Sequence, residues 1–246
     1  GDVATVTTLL QTGADVNVID ESTYDTPLII ACRSGFPKLA QVCLDFGGKN
    51  DPYNGSYGQT ALHEAVGSEK HECCCVLLDT AAQSGADHVI ANLPDSSGCT
   101  PLHTACSLDL TEIAELLLGH GADVFIKDTQ GSSVIHFCAF HGQKASLALM
   151  LDHGADTLID TVDKSGNTPL HLASYNGHLS CVRLLVETAA DVMARNHDSS
   201  TAYDLASSQG HHQVGLLLLE YQEHHQSAVK VSKSLPVSFQ VTDKVL

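Results

Sequence analysis

Histidine and cysteine are the residue types whose chemistry stands out in this chain, which holds 15 histidines and nine cysteines. Imidazoles and thiolates ligate zinc and act as bases or nucleophiles. The densest combination is the run His71-Glu72-Cys73-Cys74-Cys75. The cysteine spacing nevertheless matches neither a disulfide framework nor a paired Cys-x-x-Cys zinc pattern. No phosphate-binding glycine loop, nucleophile elbow or zinc-protease motif is present. We therefore expect no metal ion, no cofactor, no catalytic residue and no enzyme activity in this segment.

The histidines fall into a pattern that repeats along the chain. A short motif beginning with Thr or Ser recurs six times, and four of its copies carry His as their fourth residue. The copies begin at Thr26, Thr60, Thr100, Ser133, Thr168 and Thr201, so most are 33 to 35 residues apart and one pair is 40 apart. A second motif, Gly-Ala-Asp, follows in register at Gly13, Gly85, Gly121 and Gly154, with the variant Ala189-Ala190-Asp191. Two motifs that recur together at one period indicate a repeat architecture.

With its Thr-Pro-Leu-His motif and its period near 33, the chain resembles the ankyrin-repeat family. The resemblance covers residues 1–221 and implies an all-α solenoid of stacked helix-turn-helix units with protruding hairpin loops. Repeats start near residues 26, 60, 100, 133, 168 and 201, after a partial N-terminal repeat in residues 1–24. Each helix pair is too small to bury its own apolar face, so the neighbouring repeats must supply the packing partner.

The motif positions have physical roles. Thr can cap the first helix of a repeat, and Pro tolerates its first turn. The motif His can hydrogen-bond to the neighbouring loop and so tie two repeats together. A glycine follows this helix at Gly35, Gly142, Gly177 and Gly210, where the turn favours a positive φ. We interpret the cysteines, including those of the 73–75 run, as small buried hydrophobes; from their places in the repeat, Cys99 alone looks exposed.

Two segments depart from the repeat. In the repeat that begins at Thr60, the second helix is about four residues longer than elsewhere and the following loop, 88–97, is about three residues longer. Insertions in solenoids often map to the binding face, although a tolerated surface insertion is the alternative.

Residues 222–246 leave the pattern and alternate in a strand-like way at 229–231 and 237–241. Three interpretations stay open: a linker, an extended segment docked on a neighbouring surface, or a partner peptide joined to the repeats.

Charge and hydropathy narrow the class of partner. The net charge is −17, from 29 acidic and 12 basic residues. Because phosphate binding needs a basic surface, we expect no nucleic acid partner. An acidic surface favours a basic partner or serves solubility. No apolar run reaches the roughly 18 residues of a transmembrane helix, so we expect no direct membrane insertion. The unpaired cysteines indicate a reducing compartment, and we expect the protein to be cytoplasmic.

The resemblance also implies where a partner binds, because ankyrin-like domains use their hairpin tips and the inner-helix residues just before the turn glycine. The implied contact residues are Tyr53, Tyr57, Asp95, Leu108, Asp128, Phe140, His141, Tyr175, Asn176 and Asp198. Leu108, Phe140 and Tyr175 have the makeup of a binding hot spot, unless they pack against one another across repeats. Aspartates recur along the hairpin edge, so the groove should be acidic. We expect an extended protein or peptide partner, partly basic, with an apolar anchor near Phe140 and Tyr175.

The function predicted from these patterns is that of a protein-interaction module: a scaffold, adaptor or substrate-recognition domain of a larger protein. One alternative is a substrate-targeting or regulatory domain of an enzyme whose catalytic part lies outside this segment. Another is an autoinhibitory module that binds its own tail in cis. A fold alone does not decide between these functions.

Overall fold

The computed structural model describes residues 2–49, 57–83 and 85–234. In these ranges the regular structure is helical, apart from an isolated bridge between Lys127 and Ser133. The α-helices are α1 (Val3–Gln11), α2 (Pro27–Arg33), α3 (Pro37–Asp45), α4 (Ala61–Gly67), α5 (His71–Gln83), α6 (Asp87–Ile90), α7 (Pro101–Ser107), α8 (Thr111–Gly119), α9 (Val134–His141), α10 (Lys144–Asp152), α11 (Pro169–Tyr175), α12 (Leu179–Glu187), α13 (Ala202–Ser208) and α14 (His212–Ser234). A 3-10 turn covers Ala155–Leu158. The all-α prediction is confirmed.

The helices stack in two rows. The inner row consists of α2, α4, α7, α9, α11 and α13, each packed on the next. The outer row consists of α1, α3, α5, α8, α10, α12 and α14, and each inner helix also packs on the outer helix that follows it. Buried apolar side chains form one continuous core from Val16 to Leu218. This is the predicted solenoid, in which each repeat buries its apolar face against its neighbours.

The opening Thr or Ser of a repeat determines where its inner helix begins. Thr60 Oγ1 accepts a hydrogen bond from the His63 amide at 3.3 Å, and the Thr60 amide donates to His63 Nδ1 at 3.2 Å. The same reciprocal cap is present at Thr100, Ser133, Thr168 and Thr201. Because the cap satisfies two amides that the helix itself leaves unpaired, it gives the helix a defined start.

The other ring nitrogen of the motif histidine links one repeat to the next. His63 Nε2 lies 2.9 Å from the carbonyl oxygen of Cys99 in the following repeat. The corresponding pairs are His136 with Asn167 at 3.2 Å and His171 with Ser200 at 3.0 Å. His103 differs, because its buried Nε2 atom has no partner in hydrogen-bonding geometry. The predicted linking role is confirmed for the other three histidines.

The turn after each inner helix has the predicted left-handed backbone. The φ angle is +72° at Gly35, +76° at Gly142, +74° at Gly177 and +77° at Gly210. At Gly142 there is a second constraint, since a Cβ atom would lie 2.5 Å from Nδ1 of His178 in the next repeat. Glycine therefore allows both the turn and the close approach of the following repeat.

The extra residues in the Thr60 repeat are largely helical. Helix α5 has 13 residues, whereas α3, α8 and α12 have nine each, so the predicted longer second helix is confirmed. Part of the longer loop forms the single turn α6. Leu44, Leu77, Ala81 and Ile90 line a cleft of about 260 Å³ between α3, α5 and α6. The insertion thus adds an apolar cleft to the outer row.

The segment after residue 221 differs from the strand-like prediction. Helix α14 continues to Ser234, so residues 229–231 are helical and the interpretation of their alternation as a strand is wrong. Three alternating residues cannot outweigh an established helix, because extending a helix costs far less free energy than starting one. The second alternation, at 237–241, lies outside the described residues.

Candidate functional site

The hairpins between repeats are closed by acidic side chains. Asp95 Oδ1 accepts hydrogen bonds from the amides of Ser97 and Cys99 at 2.8 and 2.9 Å. Asp128 Oδ1 does the same with the amides of Gln130 and Ser132, at 2.8 and 2.7 Å. One oxygen of Asp95 and one of Asp128 therefore hold their own turns. This leaves the second oxygen, Oδ2, as the atom through which a partner could be bound.

The inner helices present the predicted apolar side chains. Phe140 and Tyr175 both lie seven positions after the opening residue of their repeats, and their side chains are 47% and 45% exposed. Leu108 is also exposed, but it lies one position further along, where the next two repeats carry His141 and Asn176. The expected stripe of three therefore consists of two residues in register and one that is offset.

A groove runs between the hairpins and the inner helices α9 and α11. It has a volume of about 370 Å³. Its lining comprises Asp128, Gln130, Ser132, His136, Phe137, Phe140, His141, Asp163, Lys164, Ser165 and Leu172. Of the predicted contact residues, Asp128, Phe140 and His141 thus lie together at one site, whereas Tyr175 lies outside the lining, three residues beyond Leu172 at the end of α11. The groove combines an apolar floor with a polar rim, which is the usual composition of a binding site.

Sequence reasoning missed the floor of this groove. Phe137 and Leu172 lie four positions after the opening residue of their repeats, and both side chains are only partly buried. The ring of Phe137 also packs edge-on against His103, with 5.0 Å between centroids. The signal was available, because a large apolar residue recurs at this position in consecutive repeats.

Hydrogen bonds from neighbouring repeats hold the backbone under the two aromatic side chains. The Phe140 carbonyl accepts from Asn176 Nδ2 at 3.1 Å and lies 3.0 Å from His178 Nε2. The Tyr175 carbonyl oxygen likewise lies 3.0 Å from His211 Nε2. Asn176, predicted as a partner contact, therefore has a structural role between repeats as well.

His141 lies beside Phe140 at the mouth of the groove. The two rings meet edge to face, with 5.1 Å between centroids and an angle of 82°. Partial burial, together with the nearby His178, lowers the pKa of His141 below its ordinary value. The ring therefore favours the neutral form, which can both donate and accept a hydrogen bond.

The other predicted contacts lie apart from this groove. Tyr57 is 73% exposed just before α4, and its carbonyl accepts from the Ser96 amide at 3.0 Å. Asp198 is exposed, but Asn196 occupies the turn-closing place that aspartate fills in the earlier hairpins. Tyr53 lies outside the described residues.

The inner row carries charged side chains near its N-terminal end and small polar side chains on either side of Phe140 and Tyr175. Near that end the guanidinium of Arg33 lies 2.6 Å from Asp25 Oδ1 and 2.9 Å from Glu64 Oε2. Within the row that includes Phe140 and Tyr175, the flanking positions are Ser107 and Ser208. The two aromatic side chains are therefore bounded on both sides by small polar residues.

The cysteines show no arrangement of a reactive site. Cys73 and Cys74 are buried, as predicted, and burial raises the pKa of Cys74 and of Cys99 to about 12. The prediction that only Cys99 is exposed is wrong, since Cys75 is also partly exposed and its Sγ atom lies 3.6 Å from His71 Nδ1. Across the described ranges, no three His, Cys, Asp or Glu side chains converge as metal ligands. None of the helices in those ranges has the length and hydropathy needed to span a bilayer.

Known proteins share both the sequence pattern and the fold. The human SH3 and multiple ankyrin repeat domains protein 2 is 32% identical over 224 residues, which are 91% of this chain and 11% of that protein. The phosphocholine transferase AnkX of Legionella pneumophila is 27% identical over 154 residues, 62% of this chain and 15% of that protein. The chain thus spans a small part of these relatives' length.

A solved structure and a family model agree with this likeness. The crystal structure of the ankyrin repeat domain of Bcl-3 matches with a TM-score of 0.73 and 28% identity, over 87% of this chain and 93% of that chain. A family model for ankyrin repeats matches three times, at residues 1–91, 81–161 and 135–228. The repeat motifs, the double row of helices and these matches together show that the chain belongs to the ankyrin-repeat family.

Proposed function

We propose that this chain is a protein-interaction module that binds an extended, partly basic segment of its partner in the groove over α9 and α11. The observation that carries the proposal is the exposure of two large aromatic side chains, Phe140 and Tyr175, in register on consecutive repeats. Aromatic residues in a well-formed pocket contribute much of the binding energy of protein interfaces. The module would serve a larger protein as a scaffold, adaptor or substrate-recognition domain.

The charge of the groove supports a basic partner. Asp128 and Asp163 both line it, and Lys164 is the cation in its lining. The whole chain carries a net charge of −17, which attracts cationic segments at long range. The expected ligand therefore places an apolar side chain on Phe137, Phe140 and Leu172, and basic side chains towards the hairpins.

The free thiols support a reducing cellular compartment as the place where the module works. All nine cysteines are free, and most of them are buried in the core. Free thiols persist where glutathione and thioredoxin keep them reduced. We propose that the module works in such a compartment, with the cytoplasm as the expected one.

Selection from a random peptide library displayed on phage tests the proposal. The wild-type chain serves as bait, and the double variant Phe140→Ala/Tyr175→Ala serves for counter-selection. We expect selected peptides to be basic with a large apolar residue, and to bind the double variant at least tenfold more weakly. The matched control is Phe125→Ala, which removes an exposed aromatic ring outside the groove lining. Circular dichroism checks that all variants are folded. Peptides that bind the folded double variant as tightly as the wild type would refute the groove as the site.

Two alternatives are testable in the same assay. A peptide covering residues 227–246 should compete with the selected peptides if the tail binds the groove in cis, and should leave their binding unchanged if it does not. The alternative of an enzyme's recognition domain is supported by one relative, which is by name a phosphocholine transferase. In that case the selected motif should occur in the substrate of a catalytic domain encoded beside these repeats.

A further inference from the structure

The spacing between Phe140, which lines the groove, and Tyr175, which lies beyond its lining on α11, restricts the conformation of a ligand that contacts both. Helices α9 and α11 pack directly on each other, and Phe140 and Tyr175 occupy the same position on each. Packed helices have axes about 8–10 Å apart. A ligand that reaches both aromatic side chains must therefore present two of its own side chains on one face at roughly this distance.

An extended β-strand does not have this spacing. Its side chains on one face are two residues apart, which is about 6.7 Å, and the next on that face is about 13 Å away. A polyproline II helix has three residues per turn and a rise of about 3.1 Å, so every third side chain returns to the same face after about 9.3 Å. The period of polyproline II thus matches the period of the inner helices.

An α-helical ligand matches the spacing only with anchors seven residues apart, about 10.5 Å along its axis. The groove offers about 370 Å³ between the hairpins and the inner helices. An α-helix pairs its backbone groups internally, whereas a polyproline II segment leaves its carbonyl groups free for donors on the groove rim.

We propose that the groove binds a polyproline II segment that carries a large apolar side chain at every third residue and basic residues between them. This inference rests on the proposed function and gives its ligand a defined pattern. Two anchors are expected, because Phe140 and Tyr175 are bounded by Ser107 and Ser208 in their row.

The hairpin side of the groove fits the same pattern. Asp95, Asp128 and Asp163 recur once per repeat, and each uses Oδ1 to close its own hairpin. The remaining oxygens of Asp95 and Asp128 therefore recur with the period of the repeats, whereas that of Asp163 also accepts from Asn167 Nδ2 at 3.5 Å. Basic residues at every third position of the ligand would meet them in succession.

Side chains on the rim of the groove can also hydrogen-bond to the backbone of such a ligand. A polyproline II segment makes no hydrogen bonds within itself, so its carbonyl groups are free to accept from a receptor. Gln130, Lys164 and Ser165 line the groove and carry side-chain donors. A preformed extended segment also loses less conformational entropy on binding than a flexible one.

Three fluorescent peptides of identical composition test the inference by anisotropy titration. Each contains Pro, Lys, one Leu and one Phe, with Leu and Phe placed two, three or four residues apart. We expect the peptide with three-residue spacing to bind at least tenfold more tightly than the other two. Phe140→Ala should abolish this preference, whereas the matched control Phe125→Ala should keep it.

The outcomes separate this inference from the proposed function. If another spacing binds best and still depends on Phe140, the polyproline II inference fails and the groove remains the binding site. If none of the three peptides binds in a way that depends on Phe140, and peptides from the library selection do not either, both proposals fail. A preference for three-residue spacing that survives Phe140→Ala would also overturn the inference, because residues other than Phe140 would then determine that preference.

Discussion

The guanidinium of Arg33 joins two acidic side chains that belong to different repeats. Asp25 is only 4% exposed, and Arg33 is its ion-pair partner at 2.6 Å. We expect Arg33→Ala to lower the free energy of unfolding by about 1–3 kcal/mol, because a buried acceptor loses its charged donor. Urea unfolding measures this change. Arg183→Ala is the matched control, since Arg183 is exposed. Equal stabilities of the two variants would show that the Asp25 pair contributes nothing.

The buried histidines should make stability depend on pH. Desolvation by burial lowers the pKa of His103 and of His136 to about 4, from an ordinary value of 6.5. Above pH 6.5 these rings are neutral in both the folded and the unfolded chain. Between pH 6.5 and about 4 the unfolded chain binds protons that the folded chain does not, so stability falls as the pH falls.

The geometry explains why the neutral ring is required. Ser133 donates its amide to His136 Nδ1, which must therefore carry no proton. We expect His136→Asn to reduce the loss of stability between pH 7 and pH 4.5 by roughly 2 kcal/mol, although its stability at pH 7 will be lower. An acceptor oxygen can replace Nδ1 in this cap, as Asp204 does for the Thr201 amide at 2.9 Å. Urea unfolding at several pH values is the measurement, and an unchanged pH slope would count against this titration.

At the residue scale, sequence reasoning located part of the groove and missed its floor. Phe140 and His141 were found because the turn glycine marks the end of the inner helix. Phe137 was missed because its position within the helix looks like core, and only packing shows that it is partly buried. Leu108 and Asp198 were misplaced because sequence reasoning did not count from the opening residue of each repeat: Ser107 occupies the position of Phe140 and Tyr175, and Asn196 occupies the turn-closing position five residues before Thr201.

Among the elements, the turn between helices is sensitive to substitution. Gly142→Ala adds a Cβ at φ +76° and within 2.5 Å of the His178 ring. Gly154→Ala adds one at φ +91° with no atom within 4 Å. We expect Gly154→Ala to cost about 1 kcal/mol of backbone strain and Gly142→Ala to cost at least about 2 kcal/mol. Thermal and urea unfolding of both variants test this, and equal losses would mean that the close approach of His178 is unimportant.

The helices also show where a sequence pattern is sufficient to predict a helix boundary. The inner helices begin where the Thr or Ser motif predicts, because the cap is a local interaction between residues three apart. The end of α14 could not be predicted in this way, since no capping residue or turn glycine follows the aliphatic run at 216–219. The helix therefore continues through residues whose alternation resembles a strand. The helical turn α6 was likewise missed because no repeat period describes an insertion.

For the whole molecule, we expect the effect of a core mutation to depend on its place in the stack. Leu147 and Leu218 are both fully buried in the outer row, in α10 and α14. Leu147→Ala removes packing between repeats on both of its sides, with a loss of about 2–5 kcal/mol. Leu218→Ala should loosen mainly α13 and α14. Hydrogen exchange followed by mass spectrometry distinguishes the two patterns. Faster exchange across the whole chain in both variants would show that the array unfolds as a single unit.

The hydrogen bonds behind Phe140 and Tyr175 give the array a mechanical property. The carbonyl groups of these residues are held by side chains of the following repeat, His178 and His211. The same residues carry the side chains of the proposed binding site. Tension applied along the stack would load these bonds directly, because each of them joins two neighbouring repeats. A load that separates the repeats would therefore move the backbone that carries Phe140 and Tyr175.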